Sequence, residues 1–357
     1  MNDKDYAFLK ELVETPSPSG YEQPAQRVLR RELAPVADSL ETDMLGNLVA
    51  GIKGVGEQPL RVMLAGHCDE IGFMVRYIDD QGFLYFAPIG GVDPHLVPGQ
   101  RVRVHGTAGA VPGVIGKKPI HLTEAKERET VAKFKHLYID LGCRERKEAE
   151  ALVAVGDPVT FAAGMERLQG DRVTSRAFDD KMGAFVVAQV LKAMRRRGGC
   201  PVELFGVSTV QEEIGLRGAA TSAFALRPDV GIVVEVGFAT DLPDGERKEL
   251  GDIRLGKGPI ISRGANINPH LHELLVTTAR EEEIPLQFMG EPRATGTDAN
   301  VMQLSRNGVA TALVRVPLRY MHTPVEVLDL GDLDQAVALV VGVLNRLPAG
   351  REALLPR

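Results

Sequence analysis

Apolar positions change their period twice along this chain. Near the start, Phe8, Leu9, Leu12 and Val13 fall on one face at helical spacing, and a second helix is predicted from about Glu22 to Leu33, after "PSPSGYE". The period then shortens to that of strands. Residues 47–52, 60–66, 71–78 and 83–90 are short apolar runs bounded by Gly, Pro or Asp. From 92 to 162 the texture becomes punctuated by Gly and Pro, as in "VPGQRVRVHGTAGAVPGVIGKKP", with "HLYIDLG" and "GDPVTF" continuing it, which predicts a small barrel-like β unit.

Beyond residue 175 the pattern alternates. "DDKMGAFVVAQVLKAMRRR", "LRGAATSAFAL", "HELLVTTAREEE" and "LDQAVALVVGVLNRL" read as helices, and "VELFGVSTV", "DVGIVVEV" and "VATALVRVP" as strands apolar on both faces. Such strands alternating with helices predict a largely parallel sheet covered on both sides. The expected fold is therefore α/β: a doubly wound, mostly parallel sheet with an inserted small β-barrel-like domain. Residues 1–91 and 163–357 form the expected catalytic domain, and 92–162 the insertion. No internal repeat interrupts this plan.

Composition narrows the function. With 357 residues, 44% of them hydrophobic, the chain can bury a substantial core. A net charge of −6 leaves no basic stripe for nucleic acid, since the longest basic block is "RRR" at 195–197, a solvated helix end. No run approaches ~18 apolar residues, and "MNDKDYAFLKELVE" lacks a signal-peptide core, so no membrane partner and a cytoplasmic location are expected. Cys68, Cys143 and Cys200 form no CxxC pair, which argues against disulfides and a thiolate zinc site.

In doubly wound folds ligands bind at the carboxyl ends of strands. Here those ends carry "HCDEIG", "QEEIG", "EVG" and, after "LRYM", "HTP", while "AFDDKMG" opens a helix. His67, Asp179, Asp180, Glu212, Glu213, Glu235 and His322 are thus candidates for one cleft. Each has a plainer explanation alone: Asp179 and Asp180 could cap the helix, and Glu212 and Glu213 could be surface charge. Glu235 resists that explanation, because an unpaired carboxylate in "GIVVEVGF" would be costly. Five elements converging is the stronger observation.

Two imidazoles with several carboxylates suit zinc or a similar divalent ion, whereas calcium prefers oxygen alone. The donors are too many for one tetrahedral ion and suit two, an arrangement that activates water for hydrolysis. In "HCD" the strand period puts His67 and Asp69 on one side, so Asp69 is expected to hold the second nitrogen of His67, with Cys68 turned to packing. Of two adjacent glutamates, one binding metal would hold its neighbour close enough to accept a proton from water. Glu213 is assigned here as ligand and Glu212 as base. Asp298 in "GTDAN" is a candidate for shaping the substrate side of the pocket, or a helix cap.

"PSPSGYE", "AGHCDEIGFMV", "GVIGKKPIHL", "SRAFDDKMGAF", "VQEEIGLRGA" and "GTDAN" together resemble the two-metal aminopeptidases that assemble into tetrahedral twelve-subunit particles, a family once often labelled endoglucanases. The resemblance runs from about residue 15 to 325. It implies that His67, Asp179 and Glu235 hold one metal, and Asp179, Glu213 and His322 the other, with Asp179 bridging. It also implies Glu212 as general base, short peptides as substrates, and assembly of a homo-oligomer, a tetrahedral dodecamer, through the insertion. The exposed strand edges of "VPGQRVRVHGTAGAVPGV" would otherwise be a liability in a monomer.

The family commonly carries Asp where this chain has Glu235, which brings a metal-dependent deacylase or carboxypeptidase into view. A glycosidase fits less well, for it gives no reason for His67 and His322, and the chain has no Trp to stack on sugars. A purely structural zinc site would need no spare acid beside it. Zn, Co and Mn accept overlapping donors, so the choice among them, like the substrate side chain, is not written in the sequence.

Overall fold

The structure, a computed structural model, describes residues 1–124 and 129–356; within the predicted 92–162 insertion, residues 125–128 lie outside the described part, as does Arg357. Strands β1 (Ser39–Thr42), β2 (Leu48–Ile52) and β3 (Arg61–His67) come first. β4 (Gly72–Ile78), β5 (Leu84–Ile89), β6 (Arg101–Gly106), β7 (Gly109–Gly116), β8 (Tyr138–Asp140) and β9 (Pro158–Phe161) follow. β10 (Glu166–Arg167) and β11 (Arg172–Ser175) lead to β12 (Glu203–Thr209), β13 (Val230–Phe238), β14 (Ile260–Gly264), β15 (Gln287–Glu291), β16 (Ala310–Leu318) and β17 (Glu326–Asp329).

Eight strands form the main sheet in the order β1-β2-β12-β3-β13-β16-β14-β15. The central four, β12, β3, β13 and β16, are mutually parallel, as their two-sided apolar pattern predicts. β13 is buried at every position but Phe238. The edges depart from the plan, since β1, β2 and β14 run antiparallel to their inner neighbours. β14 and β15, absent from the predicted strands, are five residues each and interrupted by polar positions and Gly, which hides their period.

The helix Phe178–Arg196 lies across the sheet and buries fifteen of its residues between Phe178 and Met194. It comes so close that a side chain at Gly66 on β3 would collide with the backbone of Gly183 and Ala184. The N-terminal helix Asp3–Glu14 buries the four residues its period singled out, Phe8, Leu9, Leu12 and Val13.

The insertion differs in extent from the expectation. β4-β5-β8-β7-β6-β9 close into a barrel, so the barrel begins at Gly72 rather than at residue 92. β4 and β5 carry the same alternating apolar pattern as sheet strands, and their membership is decided by what fills the barrel: Phe73 meets Phe86 and Phe161 edge-on, at centroid distances of 4.9 and 5.2 Å. Closure also pairs the strands that were expected to present free edges. Among the described residues no helix is long and apolar enough to cross a membrane.

Candidate metal centre

The carboxyl ends of the central strands bring the predicted residues together. His67 ends β3 and is the register partner of Thr209 at the end of β12, so the loop carrying Glu212 and Glu213 starts beside it. The His67 Nε2 lies 3.2 Å from Asp179 Oδ1, 3.7 Å from Glu235 Oε1 and 3.8 Å from Glu212 Oε2. His322, which follows β16, places Nε2 3.3 Å from Asp179 Oδ2 and 3.4 Å from Glu213 Oε1. Asp179 therefore faces both imidazoles, one with each oxygen.

Local backbone explains the split between the paired aspartates. Asp179 (φ −73°, ψ 108°) and Asp180 (φ −118°, ψ 34°) are not helical, and the regular turns begin after them. Asp179 thus projects to the histidines, while the Asp180 carboxylate turns inward to accept the main-chain N–H groups of His67 (3.1 Å) and Gly183 (3.2 Å). Asp180 does not join the donor cluster.

Asp69 acts differently from the expectation. His67 Nδ1 meets the main-chain carbonyl of Asp69 at 3.1 Å, with the carboxylate farther off at 3.5 Å. The carboxylate instead accepts the N–H groups of Glu212 (3.0 Å) and Glu213 (3.1 Å) and the hydroxyl of Ser19 (2.7 Å). It thereby orients the two glutamates from beneath, and Ser19 gives "PSPSGYE" its local purpose.

Glu326, at the start of β17, was not among the predicted residues. One of its oxygens accepts the N–H of Asp179 at 3.1 Å and the other that of His322 at 3.0 Å. Its only signal in the sequence is an acid four positions after His322 that stands just before the apolar pair Val327 and Leu328. His322 is further fixed through Nδ1, 2.9 Å from the carbonyl of Gly91. Asp298 binds the Thr209 hydroxyl at 2.5 Å and is buried behind the cluster, away from the cleft lining.

A second buried charge group braces the N-terminal loop. Glu70 pairs with Arg176 and with Lys181 Nζ at 2.7 Å and accepts the N–H of Ser17 at 2.9 Å. Burial alone would raise the Glu70 pKa, but the two cations hold it down at about 2.

Electrostatics in the donor cluster show the cost of gathering so many acids. Burial first, then Glu235, Asp298 and Glu213, push Glu212 up to about 10, against the pull of His67. Burial and Asp179 push Glu235 up to about 8. Burial opposes charge on His322, yet Asp179 and Glu213 lift its pKa to about 11. His67 is likewise raised well above its ordinary value despite complete burial, by Glu212, Asp179, Asp69 and Glu235.

Such a cluster calls for positive charge, and its donor chemistry fits divalent cations. His67 Nε2 is buried with no hydrogen-bond partner, because Glu235 and Glu212 lie too far away and the nearer Asp179 is not aligned with it. A lone pair held toward several carboxylates, with the other ring nitrogen satisfied by a carbonyl, is the arrangement of a metal-ligating histidine. Ligand atoms of His67, Glu212 and Glu235, and of His67, Asp179 and Glu213, each lie within 4.8 Å of one another. Glu212 therefore stands within ligand reach as well. The cluster opens onto a cleft of about 710 Å³.

Comparison with known proteins agrees with this geometry. Residues 46–339 match the family described as M42 glutamyl aminopeptidase. The chain is 40% identical to the lysyl aminopeptidase of Pyrococcus furiosus, over 96% of this chain and 97% of that protein. It superposes on the TET aminopeptidase of the marine sediment archaeon Thaumarchaeota archaeon SCGC AB-539-E09 with a TM-score of 0.92 at 34% identity, covering 99% of this chain and 98% of the other. With the TET1 peptidase of Pyrococcus horikoshii, which can assemble into a tetrahedron or a large octahedral shell, the TM-score is 0.84 at 31% identity, over 95% and 98% of the two chains.

Proposed function

The chain belongs to the M42 glutamyl aminopeptidase family, and from that membership we propose how its residues carry out metal-dependent removal of N-terminal residues from short peptides. One observation carries the assignment of roles: the buried, unpartnered Nε2 of His67 amid three carboxylates that come from three different elements.

In this proposal two divalent ions, zinc or else cobalt or manganese, are held by His67, Asp179 and Glu235 on one side and by Asp179, Glu213 and His322 on the other. Bound there, the ions supply polarisation of the scissile carbonyl and activation of water. Glu212 takes the proton from the attacking water and returns it to the leaving amine. Asp69 keeps Glu212 in place by accepting its main-chain N–H, and Glu326 fixes Asp179 and His322 in the same manner.

The chain is further proposed to form a homo-oligomer, with a tetrahedral twelve-subunit particle as the form. Support comes from the assembly of its structural neighbour and from apolar side chains exposed on the barrel unit, Tyr77, Ile120 and Leu122 among them. Sedimentation at micromolar concentration tests it, and a monomer there ends the proposal.

The test of activity is release of the first residue from a free peptide and from its N-acetylated twin, with and without chelator. An aminopeptidase cleaves only the free peptide and stops when chelated. Loss of the acetyl group from the blocked twin alone points to a deacylase, release of the last residue from both peptides points to a carboxypeptidase, and turnover that survives chelation removes the metal reading. The family description says glutamyl and the relative's name lysyl, so membership does not choose the substrate side chain.

A further inference from the structure

Two glycines carried by the barrel lie against the donor cluster. β5 ends at Ile89, which pairs with Gly72 of β4, and Gly90 and Gly91 follow it directly. Val92 then packs back on the barrel core, and its N–H closes a tight turn on the Gly90 carbonyl at 3.2 Å. The barrel thus grips this turn at both ends.

Its approach leaves no room for side chains. Gly90 has φ +74°, in the left-handed region that favours glycine, and a Cβ on it would stand 2.8 Å from Ile71 Cγ2 and 3.3 Å from both Cβ and Oε2 of Glu213. A Cβ on Gly91 would stand 3.0 Å from Nδ1 and 3.2 Å from Cε1 of His322. The Gly91 carbonyl itself meets His322 Nδ1 at 2.9 Å. A carbonyl only accepts, so in the neutral ring the proton sits on Nδ1 and the lone pair on Nε2, which faces Asp179 and Glu213. His322 needs this hold. With φ +61° it occupies left-handed backbone, which a residue other than glycine keeps only where its surroundings enforce it. Glu326 grips its main chain and Gly91 its ring.

The other half of the cluster has no such tie. His67 is held by the Asp69 carbonyl and by Asp180, and Glu235 accepts the N–H of Val236 at 2.9 Å. Among the described residues, none of these bonds reaches the barrel. We infer that Gly90 and Gly91 are positioning residues for the reaction, through which the barrel builds one of the two ion sites, that of Glu213 and His322. The site of His67 and Glu235 is built without it. The inference rests on the two-ion reading above.

Gly91→Ala tests it, because Gly91 lies outside the left-handed region and the added methyl brings only its contact with the imidazole. The full chain is stripped with chelator and titrated with cobalt, followed by absorption and by metal bound per chain. The wild type is expected to take up two ions. Gly91→Ala is expected to bind one of them as the wild type does and the other about 10- to 100-fold more weakly. Combined variants identify the weakened ion: added to Glu213→Gln, Gly91→Ala should leave the remaining ion unchanged, whereas added to Glu235→Gln it should weaken the one that remains. Two unchanged affinities overturn the inference, and so do two affinities weakened alike, which mark a general structural defect. Should Gly91→Ala fail to fold, Val92→Ala, which loosens the turn from the barrel core, is expected to weaken the same single ion, and unchanged cobalt binding there overturns the inference. A wild type that binds no cobalt removes the two-ion reading itself and this inference with it.

Discussion

Asp179 and His322 hang from the same carboxylate: Glu326 accepts the main-chain N–H of the first at 3.1 Å with one oxygen and that of the second at 3.0 Å with the other. The relationship ties Asp179 and a histidine distant in sequence to one carboxylate. Glu326→Ala should therefore weaken metal binding without removing a ligand, by about 10- to 100-fold in affinity. Metal content after graded dialysis reads this directly. Retention of wild-type metal content by Glu326→Ala would show that Asp179 and His322 are held elsewhere.

Legibility of the site followed the reach of each interaction. His67, Glu212, Glu213 and Glu235 could be named because an apolar run that stops at a polar residue marks a strand end, and strand ends in this fold share a cleft. Glu326 could not, because its work is done through main-chain groups brought close only by the finished fold. The same limit explains Asp69. Alternation placed it beside His67, but the choice between carbonyl and carboxylate was made by the N–H groups of Glu212 and Glu213, which compete for the carboxylate. In the fold, the two-sided burial of β13 and β16 announced the parallel centre. β4 and β5 carry a pattern that suits sheet or barrel equally, and the Phe73 contacts that decide between them bridge β4, β5 and β9.

Glu70 predicts a specific dependence on acid. Arg176 and Lys181 hold its folded pKa at about 2, below the ordinary 4.5. A carboxylate depressed on folding contributes stability that is complete above 4.5 and is lost as pH falls from there toward about 2. Glu70→Gln leaves two buried cations without their partner, which at neutral pH should cost about 3–5 kcal/mol. The gap in melting temperature between wild type and variant should narrow as pH falls through that window. An equal gap at pH 7 and pH 3 would separate the cluster from the acid response.

Cation removal should be felt by the fold as well as by turnover. The donor cluster gathers Asp179, Glu212, Glu213 and Glu235 around two histidines, and a ligand bound only by the folded state adds about 2.7 kcal/mol at 100 times its dissociation constant. Melting curves with excess zinc should thus lie above those in chelator by on the order of 5 °C. Coincident curves, with activity nonetheless lost in chelator, would mean that binding is too weak to pull the cluster together.

The adjacent glutamates give the sharpest division of labour. Both main-chain N–H groups are fixed by the one Asp69 carboxylate, so neither Glu212→Gln nor Glu213→Gln should disturb the loop, and any difference belongs to the side chains. Glu213 lies 3.4 Å from His322 Nε2, and replacing it by a neutral amide removes charge from the ligand set. Metal content is then expected to fall toward one ion per chain unless metal is in excess. Glu212→Gln is expected to keep both ions and lose on the order of 10²–10⁴-fold in kcat, because an amide oxygen cannot take the proton. Because Glu212 also stands within reach of His67 and Glu235, the measurement discriminates: metal content and peptide hydrolysis are read on both variants after identical dialysis. If Glu212→Gln loses an ion while Glu213→Gln keeps two and is inactive, the roles are exchanged. If both variants hydrolyse peptides as the wild type does, neither carboxylate takes part in the reaction.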